Sequence, residues 1–180
     1  MQEIEVKYRL LDLPGLEQAL AERGLVLSAP ITQDDQAYAH PDWDYGQSKV
    51  GVPFARLRTQ GDRHVFTVKT PLENELSCLE HESEVADRDQ MHRAITQMGF
   101  RPTVRIVKTR RTARVAEMAL CVDEVEHAGL FLEIEKVLGV DESGAAAQDY
   151  LDAFARSLGV ALERTTDTYD SLVRAALAPA

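Results

Sequence analysis

Residues 1–10 read MQEIEVKYRL, and their charges alternate. Glu3, Glu5, Lys7 and Arg9 fall on one side, with Ile4, Val6 and Tyr8 on the other, the period of two that belongs to a β-strand. One face of this strand is therefore wholly ionic, and the fold is decided by where such a face can be put.

Working outward, the same pattern returns on strand after strand. Arg56 and Arg58 share a side of ARLR, Lys69 ends FTVK, and Glu80, Glu82 and Glu84 line EHESE. Lys108 and Arg110 share a side of VKTR, and Glu133 and Glu135 do so in LEIEK. Any one of these, taken alone, is explained by a half-solvated sheet turning charge to water. Together they are not, because a solvent face would mix Ser, Thr, Asn and Gln among its charges. The opposite faces, with Ile4, Val6, Phe66, Val68, Ile106 and Ile134, are expected to form a core against helices. The ionic faces then need an enclosure of their own, and a barrel interior provides one.

The intervening sequence supplies the remaining elements. Helices are expected at Pro14 to Leu25, from an Asp87 cap through Met91, Ala94, Ile95 and Met98 to Gly99, at Ser143 to Gly159 with Tyr150, Leu151, Phe154 and Leu158 at helical spacing, and near Tyr169 to Ala176. Strands are expected at Ala37 to Ala39, Phe54 to Thr59, His64 to Lys69, Leu79 to Val85, Val104 to Val115, Met118 to Val125 and Leu130 to Val137. Short turns such as Gly61-Asp62 and His127 to Gly129 favour antiparallel pairing over βαβ crossovers. The predicted class is α+β, a closed antiparallel β-barrel with helices packed outside, forming a single domain over residues 1–180.

Composition narrows the function. A net charge of −10 argues against a general nucleic-acid binder. Cys78 and Cys121 form no CxxC pair, which favours two reduced, buried thiols over a disulfide framework or zinc site. The N-terminus lacks an apolar leader and no stretch is apolar enough to span a bilayer, so no membrane association and a cytoplasmic location are expected. P-loop, GxGxxG, HExxH and GxSxG motifs are missing, and phosphate chemistry here must use side chains. A lumen crowded with cations is costly without an anion, and one crowded with carboxylates is costly without a metal. A polyphosphate chelated by Mg²⁺ or Mn²⁺ answers both requirements.

EIEVK, ARLR, FTVK, VKTR and FLEIE, in this order over most of the chain, resemble the CYTH or triphosphate tunnel metalloenzyme superfamily, which includes class IV adenylate cyclases, thiamine triphosphatases and inorganic triphosphatases. The resemblance implies an eight-stranded tunnel. It implies that Glu3, Glu5, Glu133 and Glu135 bind Mg²⁺ or Mn²⁺ with Asp123 nearby, and that Lys7, Arg56, Arg58, Lys69, Lys108 and Arg110 bind the phosphates. Glu5, Lys7 and Glu135 are the expected catalytic residues, and Glu82 and Glu84 further acidic wall. QDDQAYAHP, FTVKTP, QMGFRP and the Thr168-Tyr169 pair look most like the class IV adenylate cyclase branch. Glu80 departs from the pattern, since relatives often carry a base there; it either makes the wall more acidic or points outward.

The implied reaction is attack of a ribose 3′-hydroxyl on the α-phosphorus of ATP, giving cyclic AMP and pyrophosphate. The alternative is hydrolysis of inorganic or thiamine triphosphate to orthophosphate; a third reading is a non-catalytic polyphosphate or nucleotide binder, against which the paired acids count. The partner is thus a small triphosphate, and the protein is expected to be a monomer or homodimer. The five histidines show no ligand spacing, although His40 lies in a loop at the expected tunnel mouth. Trp43 and Tyr45 offer rings for stacking on a base, but a loop aromatic covering the core is the commoner use. Of Arg110, Arg111 and Arg114, only Arg110 is assigned to the interior.

Overall fold

The computed structural model describes residues 1–139 and 141–178. In chain order it contains β1 (Gln2–Leu10), α1 (Leu13–Ala21), β2 (Ile31–Ala39), β3 (Phe54–Gln60), β4 (Arg63–Pro71), β5 (Ser77–Val85), α2 (Arg88–Gln97), β6 (Arg101–Val115), β7 (Met118–Val125), β8 (Gly129–Val137), α3 (Gly144–Ser157), β9 (Leu162–Thr165) and α4 (Tyr169–Leu177). Antiparallel neighbours run β5-β4-β3-β2-β6-β7-β8-β1, and β1 pairs back onto β5, so eight strands close into a barrel with the four helices outside. Closure removes most of the strand edge that an open sheet would expose.

The seam is short. β1 meets β5 only through Gln2, Ile4 and the residue between them, opposite Leu79, Cys78 and Ser77. From Lys7 to Leu10 its free side is taken by β9 instead. The barrel is thus sealed where β1 begins and parted where it ends.

The outward faces build the cores. Ile4, Val6, Leu120, Leu132 and Ile134 pack against Leu16 and Leu20 of α1 and Ala147, Leu151 and Ala155 of α3. A smaller core joins Ile95 of α2 to Tyr38, Ala55 and Leu57. Each of these helices starts on a side-chain cap: Asp12 accepts from the Gly15 amide, Asp87 from Gln90 and Ser143 from Ala146.

Several expectations need correction. β2 begins at Ile31, six residues earlier than the predicted Ala37, because Gln33 and Asp35 face the ionic interior and carry no apolar alternation. α1 ends at Ala21, followed by a turn that Gly24 closes at φ 72°. In α2 only Ile95 is buried and Met98 is 64% exposed; in α3 Tyr150 lies outside the buried stripe. Ile106 does not join a helix-facing core on the outer wall, since it shares the inward face of β6 with Lys108 and meets α4 across the barrel end. The strand β9 was unforeseen, as LERT has no readable period.

Candidate active site

Alternation along the strands turns a long row of ionic side chains inward, around a cavity of about 310 Å³. All six expected phosphate ligands, Lys7, Arg56, Arg58, Lys69, Lys108 and Arg110, line it, as do Glu3, Glu5, Glu82, Glu133 and Glu135. Glu80 also faces in; it is buried and paired with Lys69. Glu84 does not line the cavity. β5 outruns its short seam with β1, and its far end carries Glu84 into solvent, where it pairs with Arg63.

The carboxylates separate into two sets. Register places Glu5 opposite Glu135, and Glu3 is the next inward residue of β1. Oxygens of Glu3, Glu5 and Glu135 lie within 4.8 Å of one another. Burial pushes Glu3 up to about 8, and Glu135, Glu80 and Glu5 add to this against the opposing charge of Lys69. Glu5 is raised too, by burial and then by Glu133. As a cluster of hard oxygen donors the three carboxylates could suit Mg²⁺ or Mn²⁺.

Glu133 and Asp123 are differently engaged. Lys7 lies 3.3 Å from Glu133, and Arg110 bridges Glu133 and Asp123. Burial alone would raise Glu133, but Lys7, Arg110 and Lys108 hold it well below the usual range. Asp123, with no exposure, accepts from Lys108 at 2.8 Å, from Arg110 Nε at 2.7 Å and from the Tyr169 hydroxyl at 2.9 Å. Both acids expected near the metal therefore sit within a cation network.

Other inward residues were not singled out from the sequence. Asp35 takes Arg58 in a two-pronged pair, 2.7 Å at each prong, which outweighs burial and pulls its carboxyl down to about 2. Its only signal was a place two residues before Ala37 on the same face of the strand, which was read too short. Tyr169, noted only as part of a family-like pair, has Lys7 and Lys108 ammoniums at 4.4 and 4.7 Å from its ring centroid. Lys49, in the β2–β3 loop, is buried and bonds to Thr168, Asp170 and Ser171; nothing in its neighbourhood of sequence announces this.

Of the remaining candidates, Trp43 is 4% exposed, donates to the Ser48 carbonyl and packs edgewise on Tyr45 and Phe54. It covers the barrel end and also lines the cavity. His40 stands half exposed beside Asp42, outside the lining. Cys78 and Cys121 are buried, unpaired thiols. Arg111 turns outward to Glu17, leaving Arg110 as the inward member of its run. No helix among the described residues is long and apolar enough to cross a membrane.

The CYTH domain family model matches residues 1–169. A Methanocaldococcus jannaschii protein named "putative adenylate cyclase" is 24% identical over 155 residues, covering 84% of this chain and 87% of its own. Among solved structures, a Pyrococcus horikoshii protein superposes with a TM-score of 0.79 at 24% identity, covering 96% of this chain and 98% of that one. A Hippeastrum protein, named a "putative adenylyl cyclase" and described as having a dominant triphosphatase activity, superposes at 0.62 with 18% identity, covering 97% and 96%. At such identities the structural likeness speaks for the fold.

Proposed function

Since the chain belongs to the CYTH domain family, we propose that it is a divalent-metal-dependent enzyme acting on a triphosphate held inside the barrel, with cyclase-type chemistry as the first reading: ATP to cyclic AMP and pyrophosphate. The observation that carries the proposal is the enclosure of six cations and a three-carboxylate cluster by one cavity. Neither group is neutral by itself. A metal-chelated triphosphate supplies the missing charges of both signs.

In this reading Arg56, Arg58, Lys69, Lys108 and Arg110 hold phosphate oxygens, fixing the chain of phosphorus atoms and stabilising charge as it builds on the leaving group. Glu3, Glu5 and Glu135 hold Mg²⁺ or Mn²⁺, which when bound adds charge neutralisation on the phosphate oxygens and acidifies an attacking hydroxyl. Glu133 and Asp123 orient Lys7, Lys108 and Arg110 toward the same space. Lys7 bridges the two sets, 3.4 Å from Glu5 and 3.3 Å from Glu133. Raised by these two acids against its burial, it stays protonated and serves as a fixed positive charge rather than as a base.

Hydrolysis is the second reading, favoured by the triphosphatase activity described for the Hippeastrum relative. Both chemistries use the same residues and differ in which phosphorus meets the nucleophile. Purified protein incubated with ATP, thiamine triphosphate and inorganic triphosphate, each with Mg²⁺ or Mn²⁺, separates them. Cyclic AMP plus pyrophosphate establishes the cyclase. Orthophosphate establishes the hydrolase, and an absence of metal-dependent turnover with all three sinks both.

A further inference from the structure

We propose that Glu80 is a specificity determinant of the tunnel: by cancelling the charge of Lys69 it makes the site take a triphosphate as its divalent-metal complex and turn away the metal-free anion. The inference rests on the tunnel reading above and adds to it which ionic form of the ligand is selected, and by which residue.

On the wall formed by β3, β4 and β5, the cations that face the lumen are matched by acids. Lys69 pairs with Glu80 directly across the β4–β5 ladder. Arg56 donates at 3.0 Å to Glu82, two residues further along β5, and at 3.0 Å to Thr67, while its Nε is buried without a partner among the described residues. Over the whole lining, nine Asp and Glu side chains stand against seven Lys and Arg. A cavity that is to hold a polyanion is thus formally acidic, and the paired cations have little charge to spare.

Glu80 differs from its neighbours on β5 in its access to water. The side chains of Glu82 and Glu84 are 43% and 56% exposed, so solvent screens them. Glu80 is 4% exposed, and its backbone is fixed at the seam: its amide donates to the Met1 carbonyl at 2.8 Å, and its carbonyl accepts from the Met1 amino group at 3.2 Å. The carboxylate cannot turn out to solvent, and its charge acts on the lumen with little screening.

Lys69 stands where the two ligand groups meet. Its ammonium pairs with Glu80 on one side and lies 3.9 Å from Glu3, of the three-carboxylate cluster, on the other. An ammonium has three donors, so Lys69 bonded to Glu80 still reaches a phosphate oxygen. A phosphate drawn to it then lies beside the Glu80 carboxylate, and like charges so placed repel. That repulsion is offset only when Glu3, Glu5 and Glu135 carry a divalent ion. Without Glu80, Lys69 is free to lean onto Glu3 and fill the cluster in the ion's place. One carboxylate therefore penalises the bare anion and keeps Lys69 off the metal's ligands.

The test is titration calorimetry with a tripolyphosphate analogue that carries nitrogen in place of the bridging oxygens and resists cleavage. Its affinity is measured in the presence of a chelator and again with saturating Mg²⁺. Glu80→Gln keeps the side chain's shape without its charge, and Glu80→Met needs no hydrogen-bond partner, so a folding defect in one leaves the other informative. Wild type is expected to bind the Mg²⁺ form at least about tenfold more tightly, and either variant to tighten metal-free binding by about tenfold, a fraction of what one unit charge exerts at contact distance in a protein interior. Binding of the Mg²⁺ form should change far less, because Lys69 then competes for the cluster. Glu80→Asp, which retains the charge, and Glu84→Gln, which removes an exposed one, should keep the wild-type ratio of the two affinities. Parallel changes in both affinities would mark a merely structural role and overturn the proposal. So would metal-free binding that is unchanged or weakened in the Gln and Met variants, a ratio lost equally in Glu80→Asp, or equal wild-type affinity for the two forms. These results leave the tunnel standing. Failure of wild type to bind either form overturns the tunnel and the proposal together.

Discussion

Two neighbouring rungs of one ladder carry opposite electrostatics. Where β1 meets β8, Glu5 faces Glu135, and one inward step further on Lys7 faces Glu133. The first rung, with Glu3, is a knot of acids short of cations, and burial holds Glu3 near 8. The second, with Asp123, is saturated by Lys7, Lys108, Arg110 and the Tyr169 hydroxyl, and Glu133 is held far down. Residue type is the same, so the difference lies in the cations each acid can reach. Acids of the second rung act as counter-ions that aim cations, while those of the first meet only Lys7 and Lys69 at 3.4 and 3.9 Å and are the ones the proposed function assigns to a divalent cation.

Mutation should break this symmetry of residue type in opposite directions. Asp123→Asn leaves Lys108 buried without its carboxylate and Arg110 with Glu133 alone, and removing one partner of a buried pair costs about 3–5 kcal/mol. Chemical denaturation should show a loss of that order, partly recovered on adding tripolyphosphate, which supplies the missing negative charge. A loss below about 1 kcal/mol, typical of an exposed pair, would show that Asp123 is not the counter-ion described.

Glu135→Gln should do the reverse. It relieves repulsion within the acid knot, so stability holds or rises, while divalent-metal affinity falls at least about 100-fold, since even partners one layer behind a ligand cost 10–100-fold. Calorimetric titration with Mn²⁺ checks this, and unchanged affinity removes Glu135 from the metal site.

The two rungs also predict different responses to pH. Glu3 is raised to about 8 from an ordinary 4.5, so between these values the native protein binds more protons than the unfolded chain. Its contribution to stability is therefore full below pH 4.5 and is lost as pH rises towards 8 in metal-free protein. If Glu3 holds Mg²⁺ as proposed, binding would displace that proton, and Mg²⁺ affinity should climb with pH over the same window, by up to about tenfold per unit for one proton released. Asp35 has the opposite sign: its carboxyl is pulled down to about 2, and the stability it adds above its ordinary 3.8 is lost as pH falls towards 2. Melting temperatures across pH, with and without Mg²⁺, separate the two contributions. A Mg²⁺ affinity independent of pH from 5 to 8 would contradict the raised carboxyl of Glu3 as a ligand.

The sequence made the barrel legible because alternating ionic faces admit few enclosures, and the chain-order match extended that reading to eight strands. It made the inward residues legible wherever charges repeat at two-residue spacing, as at Glu3/Glu5 and Arg56/Arg58. It did not reveal which acids are saturated, because saturation depends on ladder register: Arg110 reaches Asp123 only because β6 and β7 place them opposite each other. The same limit hid Lys49 and Asp170, 121 residues apart and joined only by the closed end of the barrel. Glu84 misled because its alternation continues to the far end of β5, where Arg63 takes it outside the cavity.

The smallest predicted effect bears on what holds the saturated rung together. Tyr169→Phe removes one hydroxyl at 2.9 Å from Asp123 and keeps the ring between Lys7 and Lys108. Lys108 and Arg110 still satisfy the carboxylate, so denaturation should register about 1 kcal/mol, the worth of one ordinary hydrogen bond. Burial raises the phenol well above its ordinary range, with Glu133 and Asp123 adding to the shift, so the effect should be flat across working pH. A loss matching that of Asp123→Asn would mean that α4, through this hydroxyl, does what is ascribed here to the cations. The contrast between the rungs would then be one of helix docking rather than of charge.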